Sequence, residues 1–109
     1  MQIYLLRHGI AGDARPGQPD SERALTAEGR KRLRAVKRRA DLTTMFTLSS
    51  PYLRAMQTAA VFGGEIVQTR TLEPGAAPED AWNEIRLFKD KAQILCSTHE
   101  PLCGRLAAY

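Results

Sequence analysis

The sequence lacks any long hydrophobic run. Its apolar stretches are far shorter than the ~20 residues that a membrane-spanning helix needs, and the N-terminus has neither the basic region nor the cleavage site of a signal peptide. We therefore expect a cytoplasmic protein without a membrane partner. Cysteine is also scarce, since Cys96 and Cys103 are the only two. Without a secretory signal we expect two reduced thiols with no catalytic role rather than a disulfide.

Aromatic residues are equally few, at 6% of the 109 residues, while the net charge is +4. Much of this charge comes from seven cations that crowd one predicted helix: Arg30, Lys31, Arg32, Arg34, Lys37, Arg38 and Arg39. No aromatic side chain that could stack on a base is interleaved with these cations, and no nucleic-acid motif accompanies them. We therefore predict a solvated basic face that attracts anionic ligands, and no nucleic-acid partner.

What is present is the composition of an ordinary globular protein, with 43% hydrophobic and 26% charged residues. The length suits a single domain over residues 1–109. Short apolar runs predict strands at 2–6, 45–49, 65–69 and 92–97, and helical patterns predict helices at 26–40, 52–62, 78–89 and 102–109. Because a parallel connection needs about a dozen residues, this alternation predicts an α/β three-layer sandwich with a mainly parallel central sheet.

Two details of the first half of the chain follow from residue type. Residues 11–23 contain glycine, proline and polar residues, which predicts a loop beyond the first strand. Thr26 is a good N-cap for the first helix, and Leu33, Val36 and Ala40 give that helix one apolar stripe.

Both histidines of the chain directly follow predicted strands. His8 comes after the first strand and His99 after the fourth, so parallel strands would bring the two imidazoles to the same edge of the sheet, where such folds bind ligands. Arg7 precedes His8, and Arg54 lies in the first turn of the helix after the second strand. We therefore predict one site that contains these four side chains.

Two histidines alone would suggest a metal site, because imidazole is the commonest metal ligand. The two arginines oppose this, since they would place fixed positive charge beside a cation, and no carboxylate or thiolate pair has a matching spacing. A guanidinium group instead binds two phosphate oxygens at once through parallel hydrogen bonds. We therefore predict a phosphate site that needs no metal and no cofactor.

The sequence lacks the common phosphate-handling motifs. It has no glycine-rich loop ending in Gly-Lys and no G-x-G-x-x-G after the first strand. Where a cysteine phosphatase loop starting at Cys96 would need an arginine, the chain has Leu102. What remains is histidine as the nucleophile, because a neutral imidazole attacks phosphorus and nearby arginines favour the neutral form. We expect a second, protonated histidine to hold the phosphoryl oxygens.

Three segments in this order carry a family resemblance: RHG at 7–9, SPYLRAMQTA at 50–59 and THEP at 98–101. Together they resemble the histidine phosphatase superfamily, also called phosphoglycerate mutase-like. The segment RALTAEG at 23–29 is further similar to the small SixA-type branch, which acts on phosphohistidine in proteins. The resemblance covers nearly the whole chain.

The resemblance implies a role for each site residue. His8 would be the phosphorylated nucleophile, and Arg7, Arg54 and His99 would complete the phosphate pocket. Many members carry an acidic proton donor after the third strand, where this chain has Glu73, whereas SixA-type proteins generally lack it. The alternative for Glu73 is a surface glutamate in a turn. A leaving imidazole, with a pKa of ~6.5, departs without a strong acid.

The implied function is hydrolysis of phosphohistidine in a phosphorylated protein. A phosphatase of small phosphate esters or sugar phosphates and a non-catalytic phosphate or phosphoprotein binding module stay open as alternatives. The last predicted helix has no C-cap signal, and relatives of this type usually continue with further strands. We therefore expect a truncated form, a proteolytic product or a short member, and the oligomeric state does not follow from the sequence.

Overall fold

Strands and helices alternate along the chain, as the apolar runs predict. The computed structural model describes residues 2–40 and 46–108. The strands are β1 (Gln2–Arg7), β2 (Phe46–Ser49), β3 (Ile66–Gln68) and β4 (Gln93–Thr98). The helices are α1 (Ala27–Ala40), α2 (Leu53–Phe62), α3 (Pro78–Arg86) and α4 (Leu102–Ala108), and single turns of 3-10 helix are formed by Asp20–Glu22 and Arg70–Leu72.

The four described strands form one sheet in the order β1-β4-β2-β3, and every neighbouring pair is parallel. The hydrogen-bond ladder continues just past the strand ends. The backbone N–H of His8 donates to the Thr98 carbonyl at 2.9 Å, and that of Ser50 donates to the Ser97 carbonyl at 3.0 Å. The loops that leave β1, β4 and β2 therefore start side by side at the carboxyl edge of the sheet.

Helices cover both faces of the sheet, and alternate side chains of β4 belong to different layers. One apolar cluster joins β4 to α3 and α4 and includes the buried residues Ile85, Ile94, Cys96, Leu102 and Leu106. The other joins β4 to α1 and α2 and includes the buried residues Leu33, Phe62 and Leu95. The fold is therefore the α/β three-layer sandwich with a parallel central sheet that the sequence predicts.

The loop after β1 lies tightly against the start of α1. Thr26 is the N-cap, since its Oγ1 accepts a hydrogen bond from the Gly29 N–H at 2.9 Å. A Cβ atom at Gly29 would lie 2.6 Å from the Ile10 carbonyl oxygen, and one at Gly9 would lie 2.8 Å from Leu33 Cδ1. Both glycines thus allow a close approach that sets the direction in which the chain leaves His8.

The apolar stripe predicted on α1 is wrong in its second half. Leu33 is buried, but Val36 is 42% exposed and Ala40 is exposed. The buried residues of α1 are Gly29 and Leu33, in the half of the helix that approaches the Ile10 backbone. Among the cations of this helix, Arg32 pairs with Glu28 at 3.1 Å, and the others form no ion pair within the described ranges.

Several predicted boundaries shift by a few residues. The third helix ends at Arg86 rather than near 89, and β4 begins and ends one residue later than predicted. The loop over 11–23 contains the 3-10 turn Asp20–Glu22, which no apolar pattern indicates. Met45 and Tyr109, predicted as ends of a strand and a helix, lie outside the described residues.

Both cysteines are free thiols. Cys96 is buried in the cluster beneath α3 and α4, and burial raises its pKa to about 12. Burial and the nearby Glu100 carboxylate also raise the pKa of Cys103. Neither thiol is therefore a thiolate at neutral pH. No helix in the described part of the chain is long and apolar enough to cross a membrane.

Candidate active site

Three of the predicted site residues are in contact at the carboxyl edge of the sheet. His8 follows β1, Arg54 lies in the first turn of α2, and His99 follows β4. The ring centroids of the two histidines are 4.9 Å apart in an edge-to-face arrangement. Arg54 Nε lies 3.2 Å from His8 Nε2. The sheet topology therefore assembles two imidazoles and one guanidinium from three separate loops.

The His8 ring is held in one tautomer by its two partners. Its Nδ1 lies 2.7 Å from the Gly9 carbonyl oxygen, which can only accept, so Nδ1 carries the proton. Nε2 then keeps its lone pair and accepts the hydrogen bond from Arg54 Nε. Burial lowers the pKa of His8; the bond to Gly9 opposes this, and the charges of Arg54 and Arg7 lower the pKa further. His8 is thus a neutral imidazole whose Nε2 lone pair accepts a hydrogen bond from Arg54.

A second chain of hydrogen bonds fixes the loop that carries His8. The Gly9 N–H donates to Thr58 Oγ1 at 3.0 Å, and the Thr58 hydroxyl donates to the Arg54 carbonyl at 2.7 Å. Thr58 is fully buried in α2. The loop after β1 and the first turn of α2 are therefore tied together, which keeps His8 and Arg54 in register.

His99 occupies a more enclosed position and is only 1% exposed. Its Nε2 lies 2.8 Å from Ser50 Oγ, which also accepts the Tyr52 N–H at 3.2 Å. The Tyr52 ring lies edge-on at 5.0 Å between centroids. The other ring nitrogen, Nδ1, is buried and has no hydrogen-bond partner among the described residues. A phosphoryl oxygen between the two histidines would supply one.

A protonated His99 that holds phosphoryl oxygens stays a prediction for the phosphate-bound protein, and without an anion the ring is neutral. Burial, followed by the charges on His8 and Arg54, lowers the pKa of His99 to about 3. Burial makes a charged imidazolium costly in free energy, and without a bound anion nothing offsets that cost. A dianion bound beside the ring would raise this pKa again.

Arg7, the last residue of β1, is exposed. Its side chain forms no hydrogen bond or ion pair with another described residue. Its charge nevertheless contributes to lowering the pKa of His8 and partly offsets the rise in the pKa of Cys103. Contact of Arg7 with a phosphate remains a prediction.

Asp20 is a site residue that the sequence analysis missed. Arg54 donates from Nη1 to the Asp20 carbonyl at 2.7 Å and from Nη2 to Asp20 Oδ2 at 2.9 Å. Asp20 Oδ1 in turn accepts from Arg23 Nε at 2.8 Å. The available signal was the spacing of Asp20 and Arg23, which pairs opposite charges across one helical turn.

Glu73 lies in a cleft beside these residues rather than among them. The cleft has a volume of about 690 Å³ and is lined by Ser21, Pro51, Tyr52, Gln68, Thr69, Arg70 and Glu73. It adjoins the histidines through Tyr52, whose ring contacts His99 and lies under the Arg54 guanidinium at 5.0 Å. The Glu73 carboxylate forms no hydrogen bond or ion pair with a described residue, and its role as a proton donor stays a prediction.

The chain belongs to the histidine phosphatase superfamily. The model of branch 1 of that superfamily matches residues 3–99, which include His8, Arg54 and His99. An uncharacterized protein of Picosynechococcus sp. is 32% identical over 117 residues, and the alignment covers 98% of this chain and 71% of that protein.

Solved structures of SixA proteins share the fold. The protein histidine phosphatase SixA complexed with tungstate superposes with a TM-score of 0.84 at 27% identity, over 99% of this chain and 75% of that one. SixA of Agrobacterium tumefaciens superposes with a TM-score of 0.84 at 23% identity, over 96% and 73%. SixA of Nakamurella multipartitia superposes with a TM-score of 0.82 at 24% identity, over 95% of this chain but only 62% of that one.

Proposed function

We propose that this chain is a phosphatase that hydrolyses phosphohistidine in proteins through a phosphohistidine intermediate at His8. The observation that carries the proposal is the state of the His8 ring. Its Nδ1 proton is engaged by the Gly9 carbonyl, and its unprotonated Nε2 faces the Arg54 guanidinium. A nucleophile needs this lone pair, which becomes available when Arg54 Nε donates to a phosphoryl oxygen instead, and the phosphoryl group needs the adjacent cation.

In the first step His8 Nε2 forms a bond to phosphorus while the bond from phosphorus to the substrate imidazole breaks. Arg54 offsets charge on the phosphoryl oxygens, and the unpartnered Nδ1 of His99 offers a further contact. When the other nitrogen of the substrate ring carries a proton, the ring departs as neutral imidazole. The enzyme then has no proton to supply.

In the second step a water oxygen forms a bond to phosphorus and the bond to His8 Nε2 breaks. Both hydrogens of the water leave with the phosphate, and Nε2 recovers its lone pair. The hydrogen bond from Nδ1 to Gly9, at 2.7 Å, holds the ring in the same tautomer through both steps. His8 is therefore ready for another turnover without a proton relay.

The substrate class rests on the leaving group. An imidazole, with a pKa of ~6.5, needs no strong acid, whereas an alkoxide does. The carboxylate Asp20 is bonded to two arginines and is thus a poor donor. The open cleft beside Tyr52 offers room for the polypeptide around a phosphorylated histidine. The similarity to SixA structures supports the same substrate class.

Trapping of the intermediate tests the proposal. A polypeptide labelled with ³²P at histidine is mixed with the protein and quenched in alkali. We expect a labelled protein band that is stable in alkali and lost in acid, and no such band with His8→Ala. Phosphate release should be unchanged by a chelator. Release by His8→Ala at the wild-type rate would contradict the proposal, and so would phosphate binding with no turnover and no band.

A small phosphate ester is the second candidate substrate, and the position of Glu73 in the cleft favours it. The variant Glu73→Gln is compared on a phosphoramidate and on an alkyl phosphate, with Glu65→Gln, an exposed acid, as the control. The proposal predicts little change on the phosphoramidate. A large loss confined to the alkyl ester would instead assign Glu73 as a proton donor for esters.

A further inference from the structure

Arg54 is a buried guanidinium whose three nitrogens are all engaged. Its side chain is 5% exposed. Nε donates to His8 Nε2 at 3.2 Å, while Nη1 and Nη2 donate to the carbonyl and the carboxylate of Asp20 at 2.7 and 2.9 Å. Arginine stays charged at every working pH, so it cannot escape the cost of burial by losing a proton. Asp20 is the one carboxylate that pairs with it among the described residues.

Asp20 is itself held from the other side. Arg23 Nε donates to Asp20 Oδ1 at 2.8 Å, and Arg23 Nη1 donates to the Gly12 carbonyl at 3.2 Å. The two carboxylate oxygens therefore have separate partners, Oδ1 with Arg23 and Oδ2 with Arg54. Asp20 is also the first residue of a 3-10 turn, which limits the movement of its carbonyl.

This arrangement divides the guanidinium into two ends. The end formed by Nη1 and Nη2 is a ready fork for two phosphate oxygens when it is free, but Asp20 occupies it. The end at Nε is the one that reaches the nucleophile. A phosphate bound at the first end would be attracted to the same charge without being placed for attack by His8.

We propose that Asp20, held by Arg23, is a positioning residue that occupies the Nη1 and Nη2 end of Arg54 and keeps Nε directed at His8. This inference rests on the proposed function, because it assigns productive phosphoryl binding to the Nε end. Asp20 has two effects here: it excludes free phosphate from the unproductive end of Arg54, and it holds Arg54 in place for catalysis.

Removal of the carboxylate should therefore change binding and turnover in opposite directions. With Asp20→Ala, we expect inorganic phosphate to bind more tightly, on the order of 10-fold, since Nη2 loses its charged partner while Nη1 keeps only the neutral backbone carbonyl. We expect kcat on a chromogenic phosphate ester to fall by ~100-fold, since a displaced binding group misplaces the reacting atoms. A loss of structural integrity alone would weaken binding and turnover together.

The phosphate Kd is measured by calorimetry and does not depend on turnover, so it remains informative even if the chain proves to be no phosphatase. Glu22→Gln, an exposed acid in the same 3-10 turn, is the matched control and should change neither quantity. Asp20→Asn, which has nearly the same shape, covers the case in which the alanine variant fails to fold. It should shift both quantities in the same directions.

Arg23→Gln tests whether the bond from Arg23 to Asp20 holds the carboxylate in place. It should show a smaller version of both changes, and it should add little to Asp20→Ala, because Arg23 acts only through Asp20. Three results would overturn the inference: an unchanged phosphate Kd in Asp20→Ala, a rise in kcat in that variant, which would make Asp20 a blocking carboxylate, or full additivity with Arg23→Gln.

Discussion

The two histidines of the site lie in contrasting surroundings. His8 is half-buried and shares its hydrogen bonds with a backbone carbonyl and a guanidinium, in a corner that also holds Asp20 and Arg23. His99 is fully buried, bonds to the neutral Ser50 hydroxyl, and leaves one ring nitrogen unpartnered among the described residues. The corner with Arg54, Asp20 and Arg23 holds the nitrogen that we propose attacks phosphorus, and the other holds a neutral ring whose pKa a bound anion would raise.

The comparison shows that residue type does not decide what a histidine does. Both pKa values are lowered, and burial is the main cause in each case. The difference is that the His8 tautomer is set by two fixed partners, whereas His99 has one fixed partner and one open nitrogen. Partners, more than pKa, therefore separate the proposed nucleophile from the proposed phosphate contact.

The largest effect on activity should come from a change at Arg54, which contacts His8 and whose charge also lowers the pKa of His99. Arg54→Lys keeps the positive charge but loses the planar guanidinium. A single ammonium cannot bond at once to His8 Nε2, the Asp20 carbonyl and the Asp20 carboxylate. We expect kcat/KM on a chromogenic phosphate to fall by ~1,000-fold. Arg32→Lys, in an exposed pair with Glu28, should leave it unchanged. A loss under tenfold for Arg54→Lys would mean that charge alone is sufficient.

The next largest effect should come from a change at His99 that leaves the surroundings of His8 intact. His99→Gln keeps an amide near the Nε2 position beside Ser50, removes the open Nδ1 and leaves His8 and its partners in place. We expect turnover to fall by ~100-fold, the cost of one donor to a developing charge, while the alkali-stable labelled band at His8 still forms. Loss of the band together with turnover would show that both histidines are needed for the first step.

The stability of the protein should fall in acid, mainly because of the His99 corner. A histidine whose folded pKa lies below its ordinary value of 6.5 binds a proton more readily when unfolded, so its contribution to stability is complete above pH 6.5 and declines as the pH falls towards about 3. The slope is at most about 1.4 kcal/mol per pH unit. Urea unfolding between pH 7.5 and 4.5 measures it. His99→Asn should flatten this decline more than His8→Asn does, and equal slopes would contradict the contrast.

The smallest effect is expected from Ser50→Ala, which removes the fixed partner of His99 and the acceptor of the Tyr52 N–H. We expect a loss of about 1 kcal/mol in the free energy of unfolding and a decrease of less than ~10-fold in turnover. Ser49→Ala removes a comparable buried hydrogen bond, to the Ser50 carbonyl, and should cost similar stability without the change in rate. Equal rate losses in both variants would show that Ser50 has no special link to His99.

Much of the fold follows from local pattern. Short apolar runs between helical segments predict all the described strands and helices to within a few residues, because each run must bury one or two faces in the sheet. The exception is α1, where the predicted stripe reaches Val36 although burial stops earlier. Which turns of an amphipathic helix are buried depends on what packs against them, here the Ile10 backbone at Gly29, and this is a tertiary feature.

The site was partly predictable for a related reason. His8, Arg54 and His99 each follow a strand, and parallel strands place such residues at a common edge. Asp20 was not predictable, since it lies in a loop and meets Arg54 across 34 residues of chain. Its 3-10 turn is too short to leave a periodic pattern in the sequence.

By itself, the sequence determined the order of strands and helices and the residues that stand at the strand ends, because periodicity and turn residues act over short distances along the chain. The tertiary structure alone decided the ionisation and partnership of those residues. Burial keeps His99 neutral, the Gly9 carbonyl selects the His8 tautomer, and Asp20 and Arg23 hold Arg54. Such properties depend on distances between groups that are remote in the chain, and only the folded protein sets these distances.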